Sequence, residues 1–193
     1  MSYLRKINYN IIPEHSFNII RNCSGCGCKA VFHNTNRFRV NANGNKLDVW
    51  LIYQCIKCKH TSNLTVYKRQ NPESLLQQEY EKFLSNSQDL AFEYGTNSQF
   101  FAQNSAEVDW SNIKYTIKCQ SNIPDEKDHF FRKDDLIVVS NCYMIKIRTD
   151  KIVSEILNLS RSKLKEIEKL GIVTVIEEKK QHEIFIILAG DLI

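Results

Sequence analysis

Four thiols set the chemistry available to this chain. Cys23 and Cys26 have two residues between them, as do Cys55 and Cys58, and twenty-eight residues separate the two pairs. A C-x-x-C spacing lets one tight turn present both sulfurs to the same ion, and a second pair brought round by an intervening hairpin completes a tetrahedron of the kind Zn²⁺ prefers. Gly27, directly after Cys26, can take positive φ without strain, as the backbone of such a knuckle requires. One C-x-x-C alone is shared with redox motifs; two at this separation point to a structural zinc site with Cys23, Cys26, Cys55 and Cys58 as ligands. Thiolate at all four positions leaves no open position to activate water. His60 and Cys28 lie nearby in the chain, but four better-spaced thiolates take precedence. His60 is therefore expected to be a local hydrogen-bond partner and Cys28 a spare thiol.

A second group of residues has the types needed to hold anions. Ser160 can cap a helix beginning at Arg161, so Ser160, Arg161, Ser162 and Lys163 share its first turn, where free N–H groups and side chains can hold phosphate oxygens together. Arg148 and Lys151 on a preceding short helix, and Lys165 one turn on, extend the cationic set. No catalytic residue is assigned. Asp48 lacks a partnered histidine or second carboxylate for general acid/base work, and no Ser/His/Asp or Cys/His arrangement or phosphate-binding glycine loop is recognisable. The balance favours a protein that is not an enzyme.

The elements that must position these residues follow from periodicity. Phe17 to Arg21 reads as a strand entering the first knuckle, and Arg37 to Val40 pairs with Leu47 to Gln54 around a turn containing Asn43-Gly44. Val49, Leu51 and Tyr53 alternate with Trp50 and Ile52, so that strand is apolar on both faces and needs a cover. Asn71 and Pro72 look like the start of a helix that would supply it through a stripe of Leu75, Leu76, Tyr80, Phe83 and Leu84. Ser87 to Gly95 and Asn97 to Asn104 read as two further short helices. Beyond Ala106 the period becomes two: Ile113, Tyr115, Ile117 and Cys119 share a face, with further strands at Leu136 to Val139 and Tyr143 to Ile147. Ser121 to Asp135 reads as a charged loop, and Cys119 and Cys142 as buried fillers. Arg148 to Leu157 and Arg161 to Leu170 are amphipathic helices, the second ended by Gly171 before a strand from Ile172.

The formal charge of +4 over 193 residues conceals an asymmetry. Residues 1–69 carry eleven Lys or Arg against two acids, residues 70–145 six against twelve, and residues 146–193 nine against eight. The basic first segment favours a polyanionic partner even after four thiolates bind a divalent ion. No stretch approaches the length of apolar chain needed to span a bilayer, residues 1–22 lack the core of a signal peptide, and seven cysteines fit metal binding plus spare thiols in a reducing compartment. The expected location is cytoplasmic.

Two resemblances add to this. Arg148-x-Asp150-Lys151, then Ser160-Arg161-Ser162, then Gly171-x-Val173-x-Val175 and the closing Gly190-Asp191-x-Ile193 together resemble the ribosomal-protein S-four type RNA-binding domain, or αL motif, over roughly 46 residues. The family normally carries Asn-Gly after the Val-x-Val strand, where this chain has Ile176-Glu177. The run from Cys23-x-x-Cys26-Gly27 through Phe38–Gly44 to Leu47–Thr61 resembles an uncharacterised bacterial family, the domain of unknown function number one-thousand-and-sixty-two, which implies kinship without an activity. The resulting expectation is an α+β protein: a zinc-ribbon hairpin buttressed by short helices over residues 1–104, a connecting β segment over 105–147, and an αL-type helix pair with a small sheet over 148–193. It would hold structural zinc and bind structured RNA, ribosomal or transfer RNA. The alternatives are a protein-interaction or regulatory module without RNA, and an RNA-modifying or RNA-processing enzyme.

Overall fold

A computed structural model describes residues 5–120, 131–190 and 192. In chain order the strands are β1 (Arg5–Pro13), β2 (Ile19–Cys23), β3 (Cys28–Asn43), β4 (Lys46–Cys55), β5 (Thr61–Gln70), β6 (Glu107–Val108), β7 (Tyr115–Cys119), β8 (Asp135–Ser140), β9 (Val173–Glu178) and β10 (Glu183–Leu188). The helices are α1 (Gln77–Leu84), α2 (Gln88–Gly95), α3 (Ser98–Gln103), α4 (Thr149–Ile156) and α5 (Arg161–Lys169). The fold is mixed α+β, with two five-stranded sheets ordered β5-β4-β3-β2-β6 and β7-β1-β8-β10-β9. No described helix is long and apolar enough to cross a membrane.

Two compact units result: a central one of residues 13–114, and a terminal one that joins the residues up to 12 with those from 115 onward. These units cut across the chain-order segments 1–104, 105–147 and 148–193, because β1 pairs in parallel with β8, Arg5 lying opposite Asp135. Strand β1 alternates buried Ile7, Tyr9 and Ile11 with half-exposed neighbours, an amphipathic signal that the sequence reading passed over.

In the central unit, β3 and β4 pair along most of their length around Gly44, which takes φ +57° in the turn. The odd-numbered residues Leu47, Val49, Leu51, Tyr53 and Cys55 are buried, and α1 to α3 cover that face with aromatic rings. Phe38 meets Phe83 edge-on at 5.0 Å, Tyr53 meets Phe101 at 6.2 Å, and Phe17 meets Trp110 at 5.5 Å. Phe100 and Phe101 are core.

The start of α1 corrects the expected stripe. Asn71 does cap, accepting from the Glu73 N–H, but it caps only the short 3-10 turn Pro72–Ser74. Leu75 then returns to extended backbone and the helix begins at Gln77. This rephasing leaves Phe83 as the buried residue of α1, with Leu76 76% and Leu84 55% exposed. Helices α2 and α3 start where expected, on side-chain caps from Ser87 and Asn97. Strand β5, not anticipated, has backbone bonds closed by Asn104, whose Oδ1 accepts from Thr65 N–H at 2.6 Å while its Nδ2 donates to Thr65 O at 3.1 Å.

In the terminal unit, α4 and α5 bury Ile152, Val153, Leu164 and Ile167. Gly171 takes φ +71° beyond α5, and β9 returns as half of an antiparallel pair with β10. The expected strand at Tyr143–Ile147 is absent. Asn141 brackets that segment instead: its Oδ1 accepts from Ile145 N–H at 3.0 Å and its Nδ2 donates to Ile145 O at 2.9 Å, while Met144 adopts φ +53°. Side-chain bonds thus take the backbone groups that a sheet partner would have used. Cys142 is accordingly exposed, not a buried filler, whereas Cys119 is half-buried in β7. The charged loop expected from Ser121 lies at residues 121–130 outside the described residues, as do Asp191 and Ile193 of the closing turn. Arg5 and Asp135 form an ion pair in this unit, with Nε to Oδ1 at 2.8 Å; Asp135 is fully buried and the Arg5 side chain is 36% exposed.

Candidate metal centre

Each cysteine pair sits at the tip of a hairpin. The first knuckle joins β2 to β3, with Cys23 opposite Cys28, and the second joins β4 to β5. Because β3 pairs with β4, Phe32 stands opposite Cys55 and the two tips come side by side. The Sγ atoms of Cys23, Cys26, Cys55 and Cys58 all lie within 4.8 Å of one another. Cys23 Sγ is 3.4 Å from Cys58 Sγ, and Cys26 Sγ 3.8 Å from Cys55 Sγ. All four are free thiols.

These distances fit one small ion. A tetrahedron with metal–sulfur bonds of about 2.3 Å has sulfur–sulfur edges of about 3.8 Å, far longer than the ~2.05 Å of a disulfide. The four cysteines can therefore hold a metal ion.

The knuckles share a backbone design. The Gly27 N–H donates to Cys23 O at 2.8 Å, and the Lys59 N–H donates to Cys55 O at 3.1 Å, each closing the turn over four residues. Gly27 has φ +67° and Lys59 φ +64°, so both knuckles leave through the left-handed region at the equivalent residue. Glycine makes this easy in the first; in the second, Lys59 carries the strain of a side chain there. Gly25 answers a different need, since a Cβ on it would stand 2.8 Å from Cys58 Sγ. Its bare backbone lets the first knuckle close over a sulfur of the second.

Amide groups prepare Cys55 for charge, while its neighbours resist it. N–H donation from Cys58, followed by that from Lys57, brings the Cys55 thiol down to about 6 against the opposing effect of its burial. Cys26 is pushed up to about 12, first by its hydrogen bond with Cys58 and then by burial. Burial, then the Cys58 contact, raises Cys23. Cys23 and Cys26 thus resist ionisation on their own, and a cation bound among the sulfurs removes that resistance.

His60 is not a member of the sulfur cluster; its Nε2 lies 2.7 Å from Ser24 Oγ and ties the second knuckle to the first. Cys28 is exposed, outside the set. Asp48 Oδ1 accepts the Arg69 N–H at 2.8 Å. A polar cleft of about 440 Å³ gathers His15, His33, Asn34 and Asp89 near the start of α2. Among the described residues, only the four cysteines bring three or more metal-ligating side chains together.

Of the expected anion-binding residues, Arg148, Lys151, Ser160, Arg161, Ser162 and Lys163 lie at the caps and first turns of α4 and α5, and Lys165 lies one turn further along α5. Ser160 caps α5 by accepting from the Lys163 N–H, while Arg148 occupies the cap position of α4 without a side-chain cap bond. Asp150 joins the two ends: Arg148 Nη2 is 2.7 Å from its Oδ2 and Arg161 Nε 3.9 Å from the same atom. Burial works against the charge of Asp150, but Arg148 and then Arg161 hold its pKa below the usual carboxylate value. Lys151 Nζ sits 5.1 Å above the Tyr115 ring, and Lys163 Nζ is 3.4 Å from Glu166. Thr149 Oγ1 donates to Glu177, the acid standing where the αL pattern has glycine. Arg161, Ser162, Lys163 and Lys165 are exposed.

A family model described as "Protein of unknown function (DUF1062)" matches residues 40–179. The chain belongs to this family. The match covers the second knuckle and both terminal-unit helices, and begins after the first knuckle. No curated protein and no solved structure matches the chain.

Proposed function

We propose that this member of the family is a zinc-containing, structured-RNA-binding protein of the cytoplasm, the RNA being ribosomal or transfer RNA, and that it is not an enzyme. Zinc suits the four-thiolate set, and its role is structural because the chain itself fills a tetrahedral shell. The central sheet is thereby a zinc ribbon with helices packed against it. The RNA surface is the αL-type helix pair of residues 148–193, with Arg148, Lys151, Ser160, Arg161, Ser162, Lys163 and Lys165 meeting phosphates.

The observation that supports this reading is the Asp150 bridge. By lying within ion-pair distance of both Arg148 and Arg161 it links the first turns of α4 and α5, to which Lys151, Ser160, Ser162 and Lys163 also belong. The bridge also offsets part of the positive charge, and modest affinity with a clear salt dependence is the expected consequence. The test is a titration of the full chain with transfer RNA and with a ribosomal RNA stem-loop at low salt. Changing Arg161 and Lys163 together to Glu should weaken binding at least tenfold and leave the circular dichroism unchanged, since both are exposed while Leu164 and Ile167 hold the helix. No wild-type binding, or equal loss from control changes at Glu79 and Glu81, would put the protein-interaction reading in front.

A further inference from the structure

The central sheet has a second face, and its composition differs from the helix-covered one. Residues directly opposite on adjacent strands share a face, so β3, β4 and β5 contribute cross-strand rows. One row is Arg39, Trp50 and Thr65; the next is Arg37, Ile52 and Asn63. Arg37, Arg39 and Asn63 are exposed, while Trp50, Ile52 and Thr65 are half-buried. Neither row contains a carboxylate. The acids at the margins are engaged: Asp48 accepts the Arg69 amide, and Glu107, opposite Ile20 on the far edge, has Lys29 within 4.0 Å.

A tryptophan in the middle of an open sheet face, with two arginines on the neighbouring strand and amide and hydroxyl groups on the other side, presents three kinds of contact at once. The indole offers a stacking surface that accepts any base, the guanidinium groups meet phosphates or stack on base planes, and Asn63 and Thr65 can hydrogen-bond base edges. Such a flat platform suits bases splayed out of a helix. It cannot enter the narrow major groove of an A-form duplex. We propose that this face binds single-stranded nucleic acid, with a base on Trp50 and adjacent phosphates on Arg37 and Arg39. It uses residues separate from those of the α4–α5 surface and stands or falls independently of it.

The test uses the full zinc-loaded chain and a short labelled oligouridylate, followed by anisotropy and by quenching of tryptophan fluorescence. Trp50→Ala should weaken binding about tenfold or more, as loss of one stacked base does. Arg37→Glu with Arg39→Glu should weaken it similarly and reduce the salt slope by about 1.4, the single-strand value for two phosphates. Trp50→Phe, which keeps a ring in the sheet, should retain most of the affinity but lose the quench, because the other tryptophan, Trp110, packs on Phe17. Arg161→Glu with Lys163→Glu should leave oligouridylate binding unchanged even if it abolishes binding to structured RNA. No binding at low salt, unchanged affinity in Trp50→Ala, a full quench persisting in Trp50→Phe, or inorganic polyphosphate binding as tightly as oligouridylate would each overturn the proposal.

Discussion

Replacing Gly25 by Ala asks whether the four sulfurs act as one metal site. Gly25 lies outside the left-handed region that Gly27, Gly44 and Gly171 occupy, so its requirement is for space. The added Cβ would stand 2.8 Å from Cys58 Sγ, 3.7 Å from Cys58 Cβ and 3.4 Å from His60 Cβ. Comfortable non-bonded separation is about 3.5–4.0 Å, so relief needs a movement of roughly 0.7 Å or more. A metal–sulfur bond tolerates only about 0.2 Å, and a loaded site therefore has to give up Cys58 or tilt the first knuckle. A loss of 10–100-fold in zinc affinity is the expected scale, that seen when support around a metal ligand is removed. Gly27→Ala is the control. Nothing lies within 4 Å of its added Cβ, but φ +67° makes the change cost about 1–2 kcal/mol of backbone energy. Cobalt(II) in place of zinc separates the two variants. Gly27→Ala should keep the intense visible bands of a tetrahedral tetrathiolate site, and Gly25→Ala should lose or shift them. Wild-type cobalt bands and wild-type zinc affinity in Gly25→Ala would refute the reasoning.

On the zinc reading proposed above, Cys55→Ser should remove most of about one bound zinc per chain and melt the central sheet, because structural zinc sites contribute roughly 10 kcal/mol or more to folding; full metal retention by elemental analysis would show the ligands to be misassigned, and a strong chelator should mimic the substitution. Asp135→Asn should destabilise the terminal unit by about 1–3 kcal/mol in urea titrations, since it removes the charge that accepts from Arg5 and from the Arg132 N–H at a fully buried position, while the Arg5 side chain, 36% exposed, keeps its access to water. Burial opposes ionisation of Asp135, yet the Arg5 hydrogen bonds hold its pKa below the ordinary value. The carboxylate's contribution is thus complete above the unfolded aspartate pKa of about 3.9 and is lost as pH falls through the depressed folded value; a wild type and variant that stay equally far apart in stability down through that window would contradict this. Gly95→Ala should lower the melting temperature by an amount equivalent to about 1–3 kcal/mol or more, because its Cβ would lie 2.4 Å from Ser16 Oγ and 2.6 Å from Asn34 Nδ2, while the Gly95 carbonyl already accepts the Phe17 N–H at 2.7 Å.

What was legible in the sequence depended on how local the cause was. The C-x-x-C pairs announce their geometry because two ligands sit in one turn, and the Asn43-Gly44 turn between β3 and β4 brings the second pair to the first. Ser87, Asn97 and Ser160 mark helix starts for the same reason: the capping bond lies within three residues of the cap. Strand β1 carries a local sign in the alternation of Ile7, Tyr9 and Ile11, but its partner β8 lies about 130 residues away, and nothing near Arg5 in sequence names that partner. Tyr143–Ile147 misled in the opposite sense. Its β-branched and aromatic composition favours a strand, but Asn141 takes up both backbone groups of Ile145 before a sheet can.

The same division runs through the metal centre. Gly27 was readable as a left-handed residue because it follows Cys26 in the knuckle pattern. Lys59, at the equivalent place after Cys58, performs the same turn at φ +64° without the residue type that would advertise it. Gly25 and the Ser24–His60 bond belong to neither knuckle alone, for each exists only where one tip closes over the other. Sequence spacing therefore specifies two half-sites, and the β3–β4 register, with Phe32 opposite Cys55, specifies that they meet. A single-residue slip in that pairing would carry Cys55 to the other face of the sheet and separate the sulfurs. The buried row of Leu47, Val49, Leu51 and Tyr53 opposes that slip, because each would leave the aromatic core together with the cysteine. The hydrophobic packing of the central sheet and the assembly of its metal site are in this way one structural requirement.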